Sequence, residues 1–363
     1  MLLLNSALYI GGAENVTATL CRGLDRERFD VLVAHFKGHG PIAKELEQEG
    51  HRVIGLAGAK EGRDWLTSRR LRRVLVEEQI DIVHSHDLHT LIDASLCALT
   101  LPTLRHVSTF HFGNYPRRDR RSRWMEGAFL RAPHRAVAVG EVQRHAIAAA
   151  YGLPAGRFSV VRNGVGDARA RATSDDAARI RGGAEVVIGS VSTLIEQKGL
   201  DQLLRAARML VDQGVRFRLV IAGDGHLRQA LEGLCRELGL GAHVEFLGWV
   251  QDAAGKVLPW IDIFVQSSLW EAMSMVVLEA MACGCPIVAT TVGENPYVVR
   301  EGVSGFLVSA GEPAPLAERL RRLIEDRALR TSFAGEARKD YETHYTGAQM
   351  CAQYESLYLE TLL

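Results

Sequence analysis

Short apolar and β-branched runs alternate with longer amphipathic stretches along nearly the whole chain, and this alternation constrains the fold more than any other feature. Alternation of this kind is typical of parallel sheets whose crossover helices cover both faces. The sequence therefore predicts an α/β protein. Its strand-like runs are residues 2–5, 29–36, 52–56, 80–84, 105–110, 135–139 and 158–162 in the first half, and 186–191, 217–222, 244–247, 262–266, 286–290 and 305–308 in the second.

The chain has 363 residues, which favours two domains because single cores rarely grow beyond about 250–300 residues. Residues 166–185 are rich in Arg, Ala, Asp and Gly, contain no strand-like run and are interpreted as a linker with room for a short surface helix. We therefore expect one domain over residues 1–165 and a second over 186–340. Residues 341–363 show a helical pattern, which we expect to pack back towards the first domain.

Composition excludes several classes of protein. Lys plus Arg and Asp plus Glu both number 43, so the formal charge is zero, which argues against a general nucleic-acid binder. The six scattered cysteines have no metal-ligand spacing and are interpreted as reduced thiols. No apolar run reaches the ~18 residues of a membrane span, and no secretory signal is recognisable at the start. The expected location is cytoplasmic.

In the first half, candidate functional residues follow two of the strand-like runs. Gly11 and Gly12 precede a helical pattern, where backbone N–H groups favour an anion, although such a pair is more often structural. His111 follows the fifth run and could donate to a sugar hydroxyl or a phosphate. His84, the last residue of the fourth run, and His86, just after it, are interpreted as structural.

The second half is more specific. Lys198 precedes Gly199 at a helix entrance, which suits a lysine that meets a phosphate as a point charge. Gly223 and Gly225 form a tight turn after the next strand. A further helix begins near residue 274, so the N–H groups of Ser274, Met275 and Val276 are predicted to have no intrahelical partner.

Two acids flank that helix start. Glu271 lies before the helix and Glu279 within it. A carboxylate accepts two hydrogen bonds from a vicinal diol such as that of ribose, so these acids are candidates for binding a nucleotide. The alternative is two surface glutamates at chance spacing.

These motifs, in this order, resemble the retaining family 4 glycosyltransferases, also called glycosyl transferases group 1. The resemblance implies a GT-B fold, in which two Rossmann-like parallel-sheet domains face each other across a cleft. Its motifs in this chain are Gly11-Gly12, Thr109-Phe-His111, Asn163-Gly164, Glu196-Gln-Lys198-Gly199, Gly223-Asp-Gly225, Phe246-Leu-Gly248, Glu271-x7-Glu279 and Glu301-Gly-Val-Ser-Gly305-Phe.

The resemblance also implies roles. The donor would be a nucleotide diphosphate-sugar, with Glu279 on the ribose diol, Glu271 on the transferred sugar and Lys198 on the diphosphate. No metal ion and no cofactor is implied. His111 resembles a family histidine that reaches the donor sugar, which makes His111, Lys198 and Glu271 the catalytic candidates. The donor-binding candidates are Gly11, Gly12, Thr193, Gly223, Gly225, Ser274, Met275, Val276 and Glu279.

The chain departs from the family pattern at several positions. Thr193 stands where the family usually has an arginine that shares the diphosphate with Lys198. Glu294 replaces a usual glycine and Tyr297 a usual glutamate, while Ala272 and Ser274 stand where glycines are common. Three alternatives to an active transferase stay open: a non-catalytic nucleotide-sugar-binding subunit, an epimerase of the same fold and, least favoured, a dehydrogenase, whose third glycine is missing.

The acceptor is expected to bind the first domain, where one segment combines arginines with apolar residues. Basic and aromatic residues together favour an anionic membrane surface, where a polyprenyl-linked or other glycan acceptor of bacterial surface polysaccharide or glycolipid synthesis would lie. Peripheral attachment to the inner face of the plasma membrane would follow. A solvated helix is the alternative, and nucleic acid is not expected. The residues are Arg117, Arg118, Arg120, Arg121, Arg123 and Trp124.

Overall fold

A computed structural model describes residues 1–9, 11–56, 66–115 and 119–363 of the chain. It contains two compact units. Unit 1 comprises Met1–Gly164 together with Gly347–Leu363, and unit 2 comprises Val165–Thr346. Unit 1 is therefore discontinuous in sequence.

Unit 1 is built on a seven-stranded sheet. Its strands are β1 (Leu2–Asn5), β2 (Leu32–His35), β3 (Arg52–Gly55), β4 (Ile82–Ser85), β5 (Arg105–Phe110), β6 (Arg135–Ala138) and β7 (Phe158–Val160). The strand order is β3-β2-β1-β4-β5-β6-β7, and every pairing is parallel. The order reverses between β1 and β4, and ligands of such sheets bind outside the carboxyl ends of the strands at that point.

Helices cover this sheet and bury the apolar side chains of its strands. Leu2, Leu4 and Val83 lie in one core cluster, and Phe110 and Phe158 lie in a second. Burying both faces of a parallel sheet accounts for the continuous apolar runs in the sequence. The helices are α1 (Gly12–Gly23), α2 (Pro41–Gln48), α3 (Thr67–Glu77), α4 (Leu88–Thr100), α5 (Arg120–Phe129) and α6 (Glu141–Tyr151).

Unit 2 contains a six-stranded parallel sheet. Its strands are β8 (Val187–Val191), β9 (Arg218–Ala222), β10 (Val244–Gly248), β11 (Ile263–Gln266), β12 (Ile287–Thr290) and β13 (Gly305–Val308). The order β10-β9-β8-β11-β12-β13 is that of a Rossmann sheet, with its reversal between β8 and β11. The loops after these two strands are therefore the favoured binding position in unit 2.

The helices of unit 2 pack on a core that includes Ile188, Leu203, Leu219 and Val265. None of the helices in the described part of the chain is long and apolar enough to cross a bilayer. The helices are α7 (Ser174–Arg181), α8 (Leu200–Asp212), α9 (Arg228–Glu237), α10 (Ala253–Lys256), α11 (Met275–Ala282), α12 (Asn295–Val298), α13 (Pro313–Glu325) and α14 (Arg327–His344).

The C-terminal segment differs from its interpretation. Residues 341–363 were expected to form one helix, but α14 ends at His344 and a separate helix, α15 (Gly347–Leu362), follows in unit 1. The break has a local cause: the carbonyl of Tyr345 accepts from the N–H of Val165, and Val165 forms a parallel bridge with Thr346. Residues 166–185 group with unit 2 and include α7.

The predicted fold class is confirmed: two parallel α/β sheets account for every strand-like run, with ends trimmed by one to three residues in several strands.

Candidate functional site

In unit 2, candidate residues collect at the carboxyl ends of β8 and β11, which are paired neighbours. Lys198 lies in a 3₁₀ turn, Glu196–Lys198, that follows β8, and Glu271 lies in the loop between β11 and α11. The Lys198 Nζ and the Glu271 Oε1 are 2.6 Å apart. Adjacent parallel strands thus bring together two charged groups that are distant in sequence.

A glycine allows the two loops to approach. Gly199 has φ +56°, and a Cβ placed there would lie 2.3 Å from the carbonyl oxygen of Ser267. The Ser267 hydroxyl donates in return to the carbonyl of Lys198 at 2.9 Å. Because the clashing atom belongs to the backbone, another residue at position 199 would separate the loops.

The two oxygens of the Glu271 carboxylate differ in their hydrogen bonds. Its Oε1 accepts from Lys198 and also from the Ser268 hydroxyl at 2.7 Å. Among the described residues, Oε2 has only a long contact, 3.5 Å from Gln197 Nε2. The side chains of Lys198 and Glu271 are 21% and 9% exposed, so the pair is mostly shielded from water. One carboxylate oxygen is fixed and the other retains the capacity to accept a hydrogen bond.

The N-terminus of α11 is left without a side-chain cap. Ser274 occupies the N-cap position but makes no capping hydrogen bond, because its hydroxyl accepts from Gln266 Nε2 at 2.6 Å. The amide oxygen of Gln266 accepts from Asn295 Nδ2 at 2.7 Å, and all three side chains are buried. A serine that is diverted in this way leaves the first N–H groups of the helix, including those of Met275 and Val276, to an anion.

Glu279 lies within α11 and is partly buried. The pKa of Glu279 is raised to about 7, chiefly by burial and to a smaller extent by the carboxylate of Asp252, while Arg171 opposes both effects. Arg171 binds Asp252 through two hydrogen bonds, of 2.6 and 2.8 Å. Glu279 therefore exchanges its proton near neutral pH, close to a bound pair of charges.

The turn after β9 depends on its glycines. Gly223 has φ +139°, and a Cβ there would lie 1.8 Å from the carbonyl oxygen of Ser192; a Cβ on Gly225 would lie 2.4 Å from that of Leu194. The backbone that follows β8 thus lies directly against this turn. Thr193, between the two carbonyl groups, is exposed.

The other departures from the family pattern have distinct positions. Glu294 is buried, and its N–H donates to the carbonyl of Ala272 at 2.8 Å, so Glu294 helps to hold the loop that carries Glu271. Tyr297 is 55% exposed. No sequence pattern marks this supporting role of Glu294, because its partner is a backbone group.

In unit 1, Gly11 caps α1 and Gly12 is the first residue of that helix. Gly11 is extended, with φ −167°, so its backbone conformation does not require glycine. A Cβ on Gly11 would instead lie 2.3 Å from a carboxylate oxygen of Glu14. Burial, with a smaller effect from Asp87, raises the pKa of Glu14. An acid therefore lies close to the position where the sequence predicts an anion.

His111 follows β5 and pairs with a second histidine. Its Nε2 is 3.1 Å from Nδ1 of His86, and the two rings are stacked with centroids 5.4 Å apart. Burial lowers the pKa of His111 to about 4, so the ring is neutral at pH 7. His86 was interpreted as structural, and only the fold reveals that it contacts the candidate histidine.

The arginine-rich segment lies partly in α5. Arg120, Arg121 and Arg123 are exposed and Trp124 is 74% exposed, whereas Leu130 is fully buried in the core of unit 1. Of the residues expected at a membrane or acceptor surface, Arg117 and Arg118 lie outside the described residues.

The predicted residues thus form two groups. Lys198, Glu271, the start of α11, Glu279 and the glycine turn belong to unit 2, whereas Gly11, Gly12 and His111 belong to unit 1. The Arg171–Asp252 pair was not predicted from the sequence. An acid soon after β10 was a signal for Asp252, but nothing marked Arg171, which lies in the segment interpreted as a linker.

The fold with this arrangement of strand-end loops is the GT-B fold of glycosyltransferases. Anabaena HepE, solved in complex with UDP-glucose, has a TM-score of 0.85 to this chain at 24% identity, and the match covers 98% of both chains.

Two family profiles match adjoining parts of the sequence. Glycosyltransferase Family 4 matches residues 10–169, and Glycosyl transferases group 1 matches residues 174–340. The chain belongs to this family of glycosyltransferases.

Individual relatives are distant. An uncharacterized glycosyltransferase of Methanocaldococcus jannaschii is 26% identical over 78% of this chain and 76% of its own length. The UDP-Gal:alpha-D-GlcNAc-diphosphoundecaprenol alpha-1,3-galactosyltransferase of Escherichia coli is 25% identical over 88% of this chain and 86% of its own. Matches to three further curated relatives span only 46%, 42% and 37% of those proteins.

Proposed function

We propose that this chain is a retaining glycosyltransferase that moves a hexosyl or related sugar from a nucleotide diphosphate-sugar to a glycan or lipid-linked acceptor. The observation that carries the proposal is the Lys198–Glu271 ion pair beside the uncapped N-terminus of α11. A cation, a helix N-terminus and a carboxylate with one oxygen available suit a ligand that joins a diphosphate to a polyhydroxyl ring.

The reaction breaks the bond between the anomeric carbon of the sugar and the leaving phosphate oxygen. The acceptor hydroxyl oxygen forms a bond to that carbon on the same face, so the configuration is retained, and its proton passes to the leaving phosphate. The electron pair of the broken bond leaves with the nucleoside diphosphate. Negative charge therefore grows on the diphosphate as the reaction proceeds.

Protein groups are proposed to stabilise that charge without a metal ion. Lys198 supplies a positive charge, and the N–H groups of Ser274, Met275 and Val276 supply fixed dipoles. Loss of one such donor typically costs about 3 kcal/mol of transition-state stabilisation. Thr193 is exposed and carries no charge, so this arrangement depends on Lys198 more than an arginine-containing site would.

Other residues are proposed to bind the rest of the donor. The free oxygen of Glu271 accepts from a hydroxyl of the transferred sugar, and ionised Glu279 accepts from both hydroxyls of the ribose. His111 donates to the donor sugar or its phosphate.

Two relatives support a nucleotide-sugar donor: the Anabaena structure contains UDP-glucose, and the name of the Escherichia coli enzyme includes UDP-Gal. The latter name also includes a diphosphoundecaprenol acceptor, which supports a polyprenyl-linked acceptor and a role in surface polysaccharide or glycolipid synthesis. The exposed arginines and Trp124 of α5 fit peripheral binding to an anionic, cytoplasmic membrane face.

The test is a panel of UDP-, GDP- and ADP-sugars, incubated with the purified chain in the presence and absence of polyprenyl diphosphate-linked glycans. We expect release of one nucleoside diphosphate that depends on acceptor, and a product whose anomeric configuration, read by NMR, matches that of the donor. Conversion of the donor without acceptor would indicate an epimerase instead. Binding without turnover across the panel, or an inverted product, would also contradict the proposal.

The matched variants are Glu279→Ala and Glu237→Ala. The first removes the proposed ribose ligand and should abolish donor binding, while the second removes an exposed glutamate of α9 and should leave binding unchanged. Equal donor affinity in both variants would count against the ribose role of Glu279.

A further inference from the structure

A buried cluster of histidines and tyrosines in unit 1 contacts His111. Its members are His84, His86, Tyr354 and Tyr358. His84 Nδ1 is 2.7 Å from the hydroxyl of Tyr358, and its Nε2 is 2.7 Å from the hydroxyl of Thr109. The ring of His84 packs against that of His86, with centroids 4.1 Å apart, and His86 then contacts His111. The cluster therefore leads from α15 to a candidate catalytic residue.

The histidines of this cluster are uncharged. His84 and His86 are 0% and 1% exposed, and burial holds the pKa of both well below the usual value. A neutral imidazole has one N–H donor and one bare nitrogen acceptor. The hydrogen bond between His86 Nδ1 and His111 Nε2 thus requires opposite roles for the two atoms.

Either His86 Nδ1 donates to His111 Nε2 or His111 Nε2 donates to His86 Nδ1, and the surroundings of His86 distinguish these two arrangements. Its Nε2 is buried and has no hydrogen-bond partner within the described part of the chain. If this nitrogen carried the proton, a buried N–H would be left unpaired, which is rarer in proteins than an underused acceptor. The proton therefore belongs on Nδ1 of His86, which donates to Nε2 of His111.

We propose that His86 is a positioning residue that fixes His111 in the tautomer with its proton on Nδ1. The His111 Nε2 is occupied as an acceptor, and its Nδ1 has no hydrogen bond to any group in the described ranges. His111 then presents an N–H donor and no competing acceptor. An N–H donor in this position favours an oxygen atom of a ligand. The role of His111 in binding the donor rests on the proposed function.

The direct test is long-range ¹H–¹⁵N NMR of protein labelled with ¹⁵N-histidine, because these spectra distinguish Nδ1–H from Nε2–H imidazole. The signals of His111 and His86 are identified by their loss in His111→Gln and His86→Asn. We expect both residues to be the Nδ1–H tautomer in the free protein. An Nε2–H signal from either would overturn the proposal, whatever the activity of the enzyme.

Variants separate positioning from folding. His86→Phe keeps an aromatic ring but removes the donor, and His86→Asn restores an N–H near the original Nδ1. Tyr358→Phe is the control, since it removes an equally buried hydrogen bond of the same cluster without touching the His86–His111 contact.

In His86→Phe we expect His111 to become a mixture of tautomers. Once a donor sugar is known, kcat should fall about tenfold or more with KM little changed, and His86→Asn should recover most of that loss. His111 should keep its tautomer in Tyr358→Phe. An unchanged His111 tautomer in His86→Phe, with circular dichroism like that of the native chain, would overturn the proposal.

The same measurements distinguish this inference from the proposed function. Absence of sugar transfer with every donor, together with the expected tautomers, would refute the transferase and leave the positioning of His111 standing.

Discussion

Lys198 and Glu271 form an ion pair of 2.6 Å, although they are 73 residues apart in sequence. Each follows one of the two strands at which the order of the unit 2 sheet reverses. Removing the lysine would have two effects, because it withdraws a cation from the proposed diphosphate position and leaves a shielded carboxylate without its partner.

For Lys198→Met we expect kcat to fall by about 10²–10³-fold, the range typical for loss of one preorganised donor in the transition state. Steady-state kinetics with the identified donor provides the measurement. Lys256→Met is the control, because Lys256 is an exposed lysine of α10 in the same unit. A kcat within twofold of the native value would show that Lys198 does not stabilise the leaving group.

Nucleotide affinity should depend on pH through Glu279. The pKa of this residue is raised to about 7, and only the ionised carboxylate can accept from both ribose hydroxyls. The dissociation constant of the nucleoside diphosphate should therefore increase as pH falls from 8 to 6. Calorimetric titration measures this dissociation constant at each pH. Glu279→Gln should bind the nucleotide weakly at pH 8 and should lose the pH dependence that comes from Glu279. Identical profiles for the two proteins would contradict the assignment.

The same carboxyl affects stability with a definite sign. Its pKa is higher in the folded chain than its ordinary value of 4.5, so the folded state binds the proton more tightly than the unfolded chain. The resulting stabilisation is complete below about pH 4.5 and is lost as pH rises through about 7. We compare the free energy of unfolding of Glu279→Gln with that of the native chain. The difference should move in favour of the variant by about 2 kcal/mol as pH rises from 5 to 8. Urea unfolding of both proteins at pH 5 and at pH 8 tests this. The same difference in free energy of unfolding at both pH values would refute it.

The pair beside Glu279 should tune this titration in opposite directions. Asp252 raises the pKa of Glu279, and Arg171 lowers it. Asp252→Asn should move the midpoint of nucleotide binding to lower pH, whereas Arg171→Gln should move it to higher pH. Asparagine suits this position because Asp252 has φ +56° and caps α10, and asparagine tolerates both roles. Shifts of the same sign would contradict the electrostatic account.

The glycine turn after β9 should tolerate no side chain. In Gly223→Ala the new Cβ would lie 1.8 Å from the carbonyl oxygen of Ser192, so the backbone would have to move. Gly214→Ala is the control, with φ +72° but nothing within 4 Å of a Cβ, and its strain should cost about 1–2 kcal/mol. We expect a larger loss of stability in Gly223→Ala, together with lost nucleotide binding. Equal melting temperatures for Gly223→Ala and Gly214→Ala would show that the backbone of the turn can move to accept the side chain.

Sequence periodicity was sufficient for the fold because both sheets are parallel and buried on both faces. Each strand is then a continuous apolar run, and the residues at its carboxyl end are the natural site candidates. Lys198 and Glu271 were selected as candidates in this way, and Glu279 was selected from its place in the helix that follows.

Contacts that depend on tertiary structure could not be predicted from sequence. Arg171 meets Asp252 across 81 residues, and neither belongs to a motif. The break between α14 and α15 was missed although Gly347 lies there, because the bridge between Val165 and Thr346 that holds the chain extended is a tertiary contact. The contact of His86 with His111 arises because β4 and β5 are paired neighbours.

The discontinuity of unit 1 has a consequence for synthesis on the ribosome. Its sheet emerges first, but α15, which supplies Tyr354 and Tyr358 to the buried histidines, is translated only after all of unit 2. Unit 2 is one contiguous segment and can complete its core while the nascent chain is still growing. The hydroxyl partners of His84 and Thr109 are made after unit 2, so the sheet of unit 1 is started before unit 2 and completed after it.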